Sequence, residues 1–300
     1  MLDVRKLRLL RELAHRGTIA AVAEALSYTP SAVSQQLTAL EREAGVALLE
    51  RSGRRVTLTP AAELLVGHTE TILAALEHAD AELSATRHEL AGTLRIGTFP
   101  TAARTLLSPA LVTLSTDHPR LELTVTEIDP ADIPNALRAG TLDVALTHDY
   151  DLVPADADLS LHTEPLHSET VYLATRSPVP AEDSLAAHRQ SPWIAGTPGT
   201  LCHTLTIRAC QATGFTPHIR HHADDFDTVL TLVAAGAGTA IVPALALYAP
   251  PDRITLTPLP IRRHTQLVYR NGTGLHPAIH AARTALHAAA RAVEVARAFP

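Results

Sequence analysis

The chain has 300 residues, 46% of them apolar and 19% charged, with only two cysteines and no apolar run long enough to cross a bilayer. That length suits about two domains at ~150 residues each, and two cysteines exclude a disulfide framework. The net charge of −6 argues against nucleic acid, yet residues 1–60 hold nine Lys/Arg against six Asp/Glu, a local +3 that leaves −9 for the remainder. A basic head on an acidic body is the footprint of a protein that touches phosphate at one end only. The N-terminus, MLDVRKLRLLRELAHRG, is amphipathic and lacks a small-residue cleavage site, so a cytoplasmic location is expected.

Residues 2–15 read as a helix with Leu2, Leu7, Leu10 and Leu13 inward. The stretch TIAAVAEALSYTPSAVSQQLTALE, from Thr18 to Glu41, reads as two short helices and a tight turn. Ile19, Val22, Ala23 and Leu26 form the buried stripe of the first. Thr29 is placed to cap the second, with Pro30 at its first position, where a missing N–H costs nothing. Val33, Leu37 and Leu40 anchor that helix, and Ser31, Ser34, Gln35 and Thr38 form a short polar face. This is the layout of a helix-turn-helix, whose second helix lies in the DNA major groove. Residues 45–60 read as a β-hairpin turning at Ser52-Gly53, with Arg51, Arg54 and Arg55 at its tip. Such a wing contacts phosphates, which set register and affinity without reading sequence.

Thr59-Pro60 opens a helix predicted to run to about Leu90. Positions 65, 69, 72, 76, 79, 83, 86 and 90 are Leu, Thr, Ile, Leu, Ala, Leu, Thr and Leu, a heptad seam. A ~30-residue helix is ~45 Å long, so pairing with a second copy is expected, with packing on the chain's own C-terminal domain as the alternative. Gly92 ends the helix. Strands are then predicted at 94–97, 121–128, 143–147, 171–174, 193–195, 219–222, 239–242 and 267–269. Helices are predicted at 102–116, 131–139, 200–212, 225–235 and 277–298. The alternation implies parallel sheets and an α/β fold in two lobes, with a ligand cleft at the carboxyl ends of the strands.

The ordered pieces ALSYTPSAVSQQLTALEREAGVALLER, VTLTPAAE, LRIGTFPTAARTLLSPAL, LRAGTLDVALTH and LVAAGAGTAIVP span nearly the whole chain. In this combination the chain resembles the LysR-type transcriptional regulators. Two departures are visible: Leu48-Leu49 stands where a leucine–phenylalanine pair is commoner, and Thr18-Ile19 where serine–phenylalanine is usual. The resemblance implies a fold of α plus α/β class. It comprises a winged helix-turn-helix (1–58), a linker and dimerisation helix (59–91), and an effector-binding domain (92–300) like the type 2 periplasmic binding proteins. In that domain, lobe I would take about 92–163 and 267–300, and lobe II about 164–266. The resemblance also implies homodimers or homotetramers, double-stranded DNA and RNA polymerase as partners, and a small-molecule effector, commonly an organic anion. No nucleophile motif such as G-x-S-x-G or H-E-x-x-H appears, so neither a cofactor nor enzymatic activity is expected. A solute-binding or carrier protein with the same two-lobed fold is the alternative.

For DNA reading, the expected residues are Pro30, Ser31, Ser34, Gln35 and Thr38, with Arg51, Arg54 and Arg55 on the wing. Gln35 can pair bidentately with adenine, and serine can contact either kind of base. For the effector, Thr98, Phe99, Pro100 and Thr101 follow the first strand and open a helix, whose N-terminus suits a carboxylate. Thr197 and Thr200 occupy the equivalent place in the second lobe. His148 ends a first-lobe strand, and Asp225 and Phe226 open a helix in the other lobe. Phe99 and Phe226 would suit an apolar or aromatic portion. Three further motifs are set aside. Gly236-Ala237-Gly238 precedes a strand instead of following one, so it is no dinucleotide fingerprint. In HHADDFD, His221 and His222 point to opposite faces of a strand, so no metal site is expected. Cys202 and Cys210 lie eight residues apart on one helix, ~12 Å of rise, beyond disulfide reach.

Overall fold

The structure, a computed structural model, describes residues 1–52, 55–85, 90–154, 158–176 and 185–298. In the head, α1 (Val4–Arg16) starts where the Asp3 side chain accepts the Arg5 N–H and ends at Gly17, in the left-handed region. Helix α2 (Ile19–Ala25) is capped by Thr18, and α3 (Pro30–Ala44) by Thr29, whose hydroxyl accepts the Ala32 N–H at 3.2 Å. Each cap satisfies one of the free N–H groups of a first turn. Between them Ser27 takes φ 57, and the Tyr28 N–H reaches the Ala23 carbonyl at 2.8 Å, which turns the chain sharply. Leu7, Leu10, Leu13, Val22, Val33, Leu37 and Leu40 meet in one core, as their spacing predicts. Beneath it Glu12 is buried between Arg11 and Arg16, each at 2.7 Å. Burial opposes its ionisation, but the two guanidiniums hold its carboxyl below the usual range. Strands β1 (Leu49–Ser52) and β2 (Arg55–Leu58) pair antiparallel as the expected hairpin.

Helix α4 (Pro60–Ala85) has two different faces. One packs on the chain itself. Glu70 lies 3.3 Å from His15, Arg270 Nε donates to Glu77 Oε1 at 3.0 Å, and Gly272 passes under the Ala74 carbonyl so closely that a Cβ there would lie 2.1 Å from it. The other face leaves Ile72, Leu76 and Leu83 exposed, Leu83 at 69%. The expected seam is thus divided: Thr69 is buried within the chain, the stretch from 72 to 83 faces outward, and Leu90 joins the core of the C-terminal domain. Residue 86 lies outside the described residues.

The rest of the chain forms one eight-stranded sheet in the order β4-β3-β5-β10-β6-β9-β7-β8. Its strands are β3 (Gly92–Thr98), β4 (Leu121–Glu127), β5 (Val144–Tyr150), β6 (Leu161–Thr175), β7 (Pro192–Ala195), β8 (His218–His222), β9 (Thr239–Pro243) and β10 (Thr255–Arg270). The outer strands pair in parallel: β4 with β3, β3 with β5, and β8 and β9 with β7. The centre is not parallel, because β6 and β10 run antiparallel to each other and to their outer neighbours β9 and β5. These two strands are far longer than the predicted 171–174 and 267–269. They cross from one half of the sheet to the other, so each half has its own parallel set and its own helices. The ladder between them shifts register between Pro258 and Arg262 and again at Thr265/Gln266, near Pro258 and Pro260 on one strand and Pro165 on the other. Proline cannot donate to a ladder and sits at such irregularities.

In the first half, a helical run of α5 (Pro100–Ala102), a π-helical stretch (Ala103–Leu107) and α6 (Ser108–Asp117) packs with α10 (Pro277–Ala298) on one sheet face. Helix α7 (Ile133–Ala139) covers the other face through Ile133 and Leu137. In the second half, α8 (Leu201–Ala212) and α9 (Phe226–Ala234) cover opposite faces, over Trp193 and Ile194 respectively. Gly238 explains the glycine pair before β9: a Cβ there would come within 2.7 Å of the Pro192 carbonyl, so close strand packing requires its absence.

Candidate functional site

Helix α3 presents Pro30, Ser31 and Gln35 exposed and Ser34 and Thr38 half-buried, while Val33, Leu37 and Leu40 are buried beneath. Residues 31, 34, 35 and 38 are one, four, five and eight places into the helix, so they share one face. The scaffold holds this face without using its side chains. On the hairpin, Ser52 pairs with Arg55 and Arg51 with Val56. Arg54 lies outside the described residues.

The second site is a cavity of about 300 Å³ between the halves of the sheet. Phe99, Pro100, Thr101 and His148 line it from the first half, and Thr197, Thr200, Asp225 and Phe226 from the second. Eight of the nine expected effector residues therefore come together across the lobes. Thr98 does not. It is buried, its hydroxyl 3.4 Å from the Phe99 carbonyl, because strand alternation turns it behind the wall that its neighbours form.

Several helix starts converge here. Thr200 caps α8 by accepting the His203 N–H at 3.2 Å, and Asp225 caps α9 by accepting the Thr228 N–H at 3.0 Å. The Thr228 amide and hydroxyl, with Arg104 nearby, hold Asp225 below the usual carboxylate range although burial opposes it. From the first half, Arg104 reaches across to Asp227 at 2.7 Å and Asp225 at 3.5 Å. Asp224 accepts the Thr197 N–H and hydroxyl at 2.8 and 2.9 Å.

Arg263, on β10, is among the lining residues that sequence reasoning missed, with Glu127, Asp129 and Asp224. Its side chain is 1% exposed, lines the cavity, and binds Glu169 at 2.7 Å. It also donates to Thr101 Oγ1 at 2.9 Å and lies 5.1 Å over the Phe99 ring. Glu169 accepts the Leu245 N–H with its other oxygen, so the buried pair is neutral and well satisfied. A signal was present. Leu259, Ile261, Arg263, Thr265, Leu267 and Tyr269 alternate inward along one strand, and an arginine in such a row must have a buried partner.

His148 packs edge-on against Phe99 at 4.6 Å and Tyr150 at 5.3 Å. It is 6% exposed, and among the described residues neither ring nitrogen has a hydrogen-bond partner. Burial, with Arg263 nearby, pushes its pKa well below the ordinary histidine value, so the ring is neutral. His148, Pro130 and Leu201 also line a larger cavity of about 900 Å³ that reaches His15 and the Glu63 and Glu70 side of α4. Cys202 also lines the cleft, with Sγ 3.4 Å from the Tyr150 hydroxyl. Burial raises the Cys202 thiol and pushes that of Cys210 up to about 12. Among the described residues no group of three or more His, Cys, Asp or Glu could hold a metal ion.

A winged helix-turn-helix head joined by a long helix to a two-lobed domain with an interlobe cleft defines a class: ligand-responsive DNA-binding regulators. Residues 4–63 match the bacterial regulatory helix-turn-helix of the lysR family, and residues 87–291 match the LysR substrate binding domain. The chain belongs to the LysR family of transcriptional regulators. It is similar to the transcriptional dual regulator GltC of Bacillus subtilis, 27% identical over 261 residues, 85% of each chain. It is also similar to the DNA-binding transcriptional dual regulator OxyR of Escherichia coli, 30% identical over 293 residues, 91% of each chain. Among solved structures, a cysteine-substituted OxyR of Corynebacterium glutamicum covers all of this chain and is covered to 96% itself, with TM-score 0.58 and 26% identity. These relatives are regulators, and the head they share has no counterpart in the solute-carrier alternative. No described helix is long and apolar enough to cross a membrane.

Proposed function

We propose that residues 1–58 dock α3 in the DNA major groove, with Ser31, Ser34, Gln35 and Thr38 at base edges and Pro30 beside them. Arg51, Arg54 and Arg55 then contact phosphates from the wing. The exposed and anchored faces of α3 carry this reading: a polar rod fixed from behind by Val33, Leu37 and Leu40 suits a groove. Residues 59–91 join two copies along the outward seam of Ile72, Leu76 and Leu83, and pairs of dimers make a tetramer. Residues 92–300, with lobe I at about 92–163 and 267–300 and lobe II at about 164–266, bind a small effector in the cleft. The protein works in the cytoplasm, contacts RNA polymerase at its promoters, and carries out no catalysis.

The cavity behind His148 gives the coupling a physical basis. A ligand that moves His148 also changes the wall facing α4, and so the angle between the two heads of a dimer. Such coupling requires the ligand to bind one arrangement better than the other. Burial raises the pKa of both the Cys202 and Cys210 thiols, which disfavours their thiolate forms. Selection of binding sites from random duplexes by the full-length protein tests the reading. An enriched site with two half-sites is expected, and enrichment of none would overturn it.

A further inference from the structure

The charge around the cleft does not suit an anion. Glu127 and Asp129 line it from the first lobe and Asp224 and Asp225 from the second. Against these four carboxylates, Arg263 is the single cation in the described lining, and Glu169 already neutralises it at 2.7 Å. Arg104 offsets Asp225 and Asp227 at the rim, but neither Glu127 nor Asp129 has a cationic partner among the described residues. The helix starts that favour an anion are partly used: Thr200 and Asp225 each accept one first-turn N–H of α8 and α9, and Pro100 has no N–H to give.

A second, independent feature points to a ligand. His148 is buried in the wall, and among the described residues both its ring nitrogens are unpartnered. An unpaired buried polar group is costly, and a bound molecule is the natural source of its hydrogen bond. Being neutral, the ring offers one lone pair as acceptor. Phe99, Ile128 and Phe226 supply apolar walls around it. A bare metal ion does not fit, because no three liganding side chains converge among the described residues.

We propose that the effector is a small organic cation whose charged nitrogen faces Glu127 and Asp129, whose N–H reaches His148, and whose apolar body lies between Phe99 and Phe226. This assignment rests on the cleft being the effector site of a regulator, and it replaces the organic anion that the family resemblance implies.

The test uses three probes of one shape and different charge, benzamidinium, benzamide and benzoate, titrated calorimetrically into the full-length protein. Benzamidinium is expected to bind about tenfold more tightly than benzoate, with benzamide between. The preference should vanish in the E127Q/D129N double variant, whose two positions are exposed and whose unliganded melting temperature should be unchanged. The His148→Leu variant should weaken benzamidinium and benzamide alike. Benzoate binding at least as tightly as benzamidinium, no binding by any of the three, or a preference that persists in E127Q/D129N would overturn the cation. Unchanged binding in His148→Leu would overturn the histidine's part. Operator selection without ligand scores the regulator reading separately, so either can fail while the other stands.

Discussion

The head and the cleft are built on opposite principles. The exposed polar face of α3 comes from nine consecutive residues, Pro30 to Thr38, and its caps, turn and core contacts lie within the first 66 residues. The cleft takes Phe99, His148, Thr200, Phe226 and Arg263 from five separate elements and depends on two long strands to bring them together. A local site tolerates the loss of one polar side chain without structural consequence. A site held by a buried ion pair does not.

That contrast can be broken or sharpened by substitution. The largest expected effect is Arg263→Met, which leaves Glu169 buried without its partner and should destabilise the C-terminal domain by about 3–5 kcal/mol. Urea denaturation of the full chain would measure it, and pairing the change with Glu169→Leu should recover most of the loss. Gln35→Ala should cost about 1–3 kcal/mol of operator binding and relax specificity at one base pair. Its stability should stay within about 0.5 kcal/mol of the parent, because the side chain is exposed. A large stability loss there would remove the contrast.

The next effect is on pH dependence. His148 has a depressed pKa in the folded chain, so below about pH 6.5 the unfolded chain binds a proton that the folded chain resists. Stability should fall as pH drops through that point, at up to ~1.4 kcal/mol per unit. His148→Gln should flatten this slope, leaving the smaller share of His188, which burial also depresses. Paired carboxylates such as Glu12 and Glu164, held below their usual range, act only in a more acidic window. The smallest effect is expected at the rim. Arg104→Ala removes exposed pairs to Asp225 and Asp227 and should change stability by about 0–1 kcal/mol. A larger loss would mean that these charges hold the lobes together.

The two regions were also unequally legible. Thr29-Pro30 and the stripe of Val33, Leu37 and Leu40 declare a capped, one-faced helix, because both signals act within a turn or two of chain. Phe99, Thr200 and Asp225 could be placed at helix starts for the same reason. Thr98 could not be excluded, since the side of a strand that faces a cavity depends on its partners. The span of β10 was hidden because Pro258 and Pro260 interrupt its alternation at a register shift that only β6 explains. The division of the α4 seam was equally hidden. Ile72 and Leu76 repeat like Thr69, yet the head and C-terminal domain bury only Thr69.

The sequence by itself therefore determined most of the elements, the caps, the family and the exposed polar face of α3, since each rests on patterns between near neighbours in the chain. The tertiary structure alone decided that an arginine on the tenth strand meets Glu169 beneath the cleft, that His148 has no hydrogen-bond partner among the described residues, and that four carboxylates line the cleft. Burial and charge add up over groups far apart in sequence, and no local pattern records that sum.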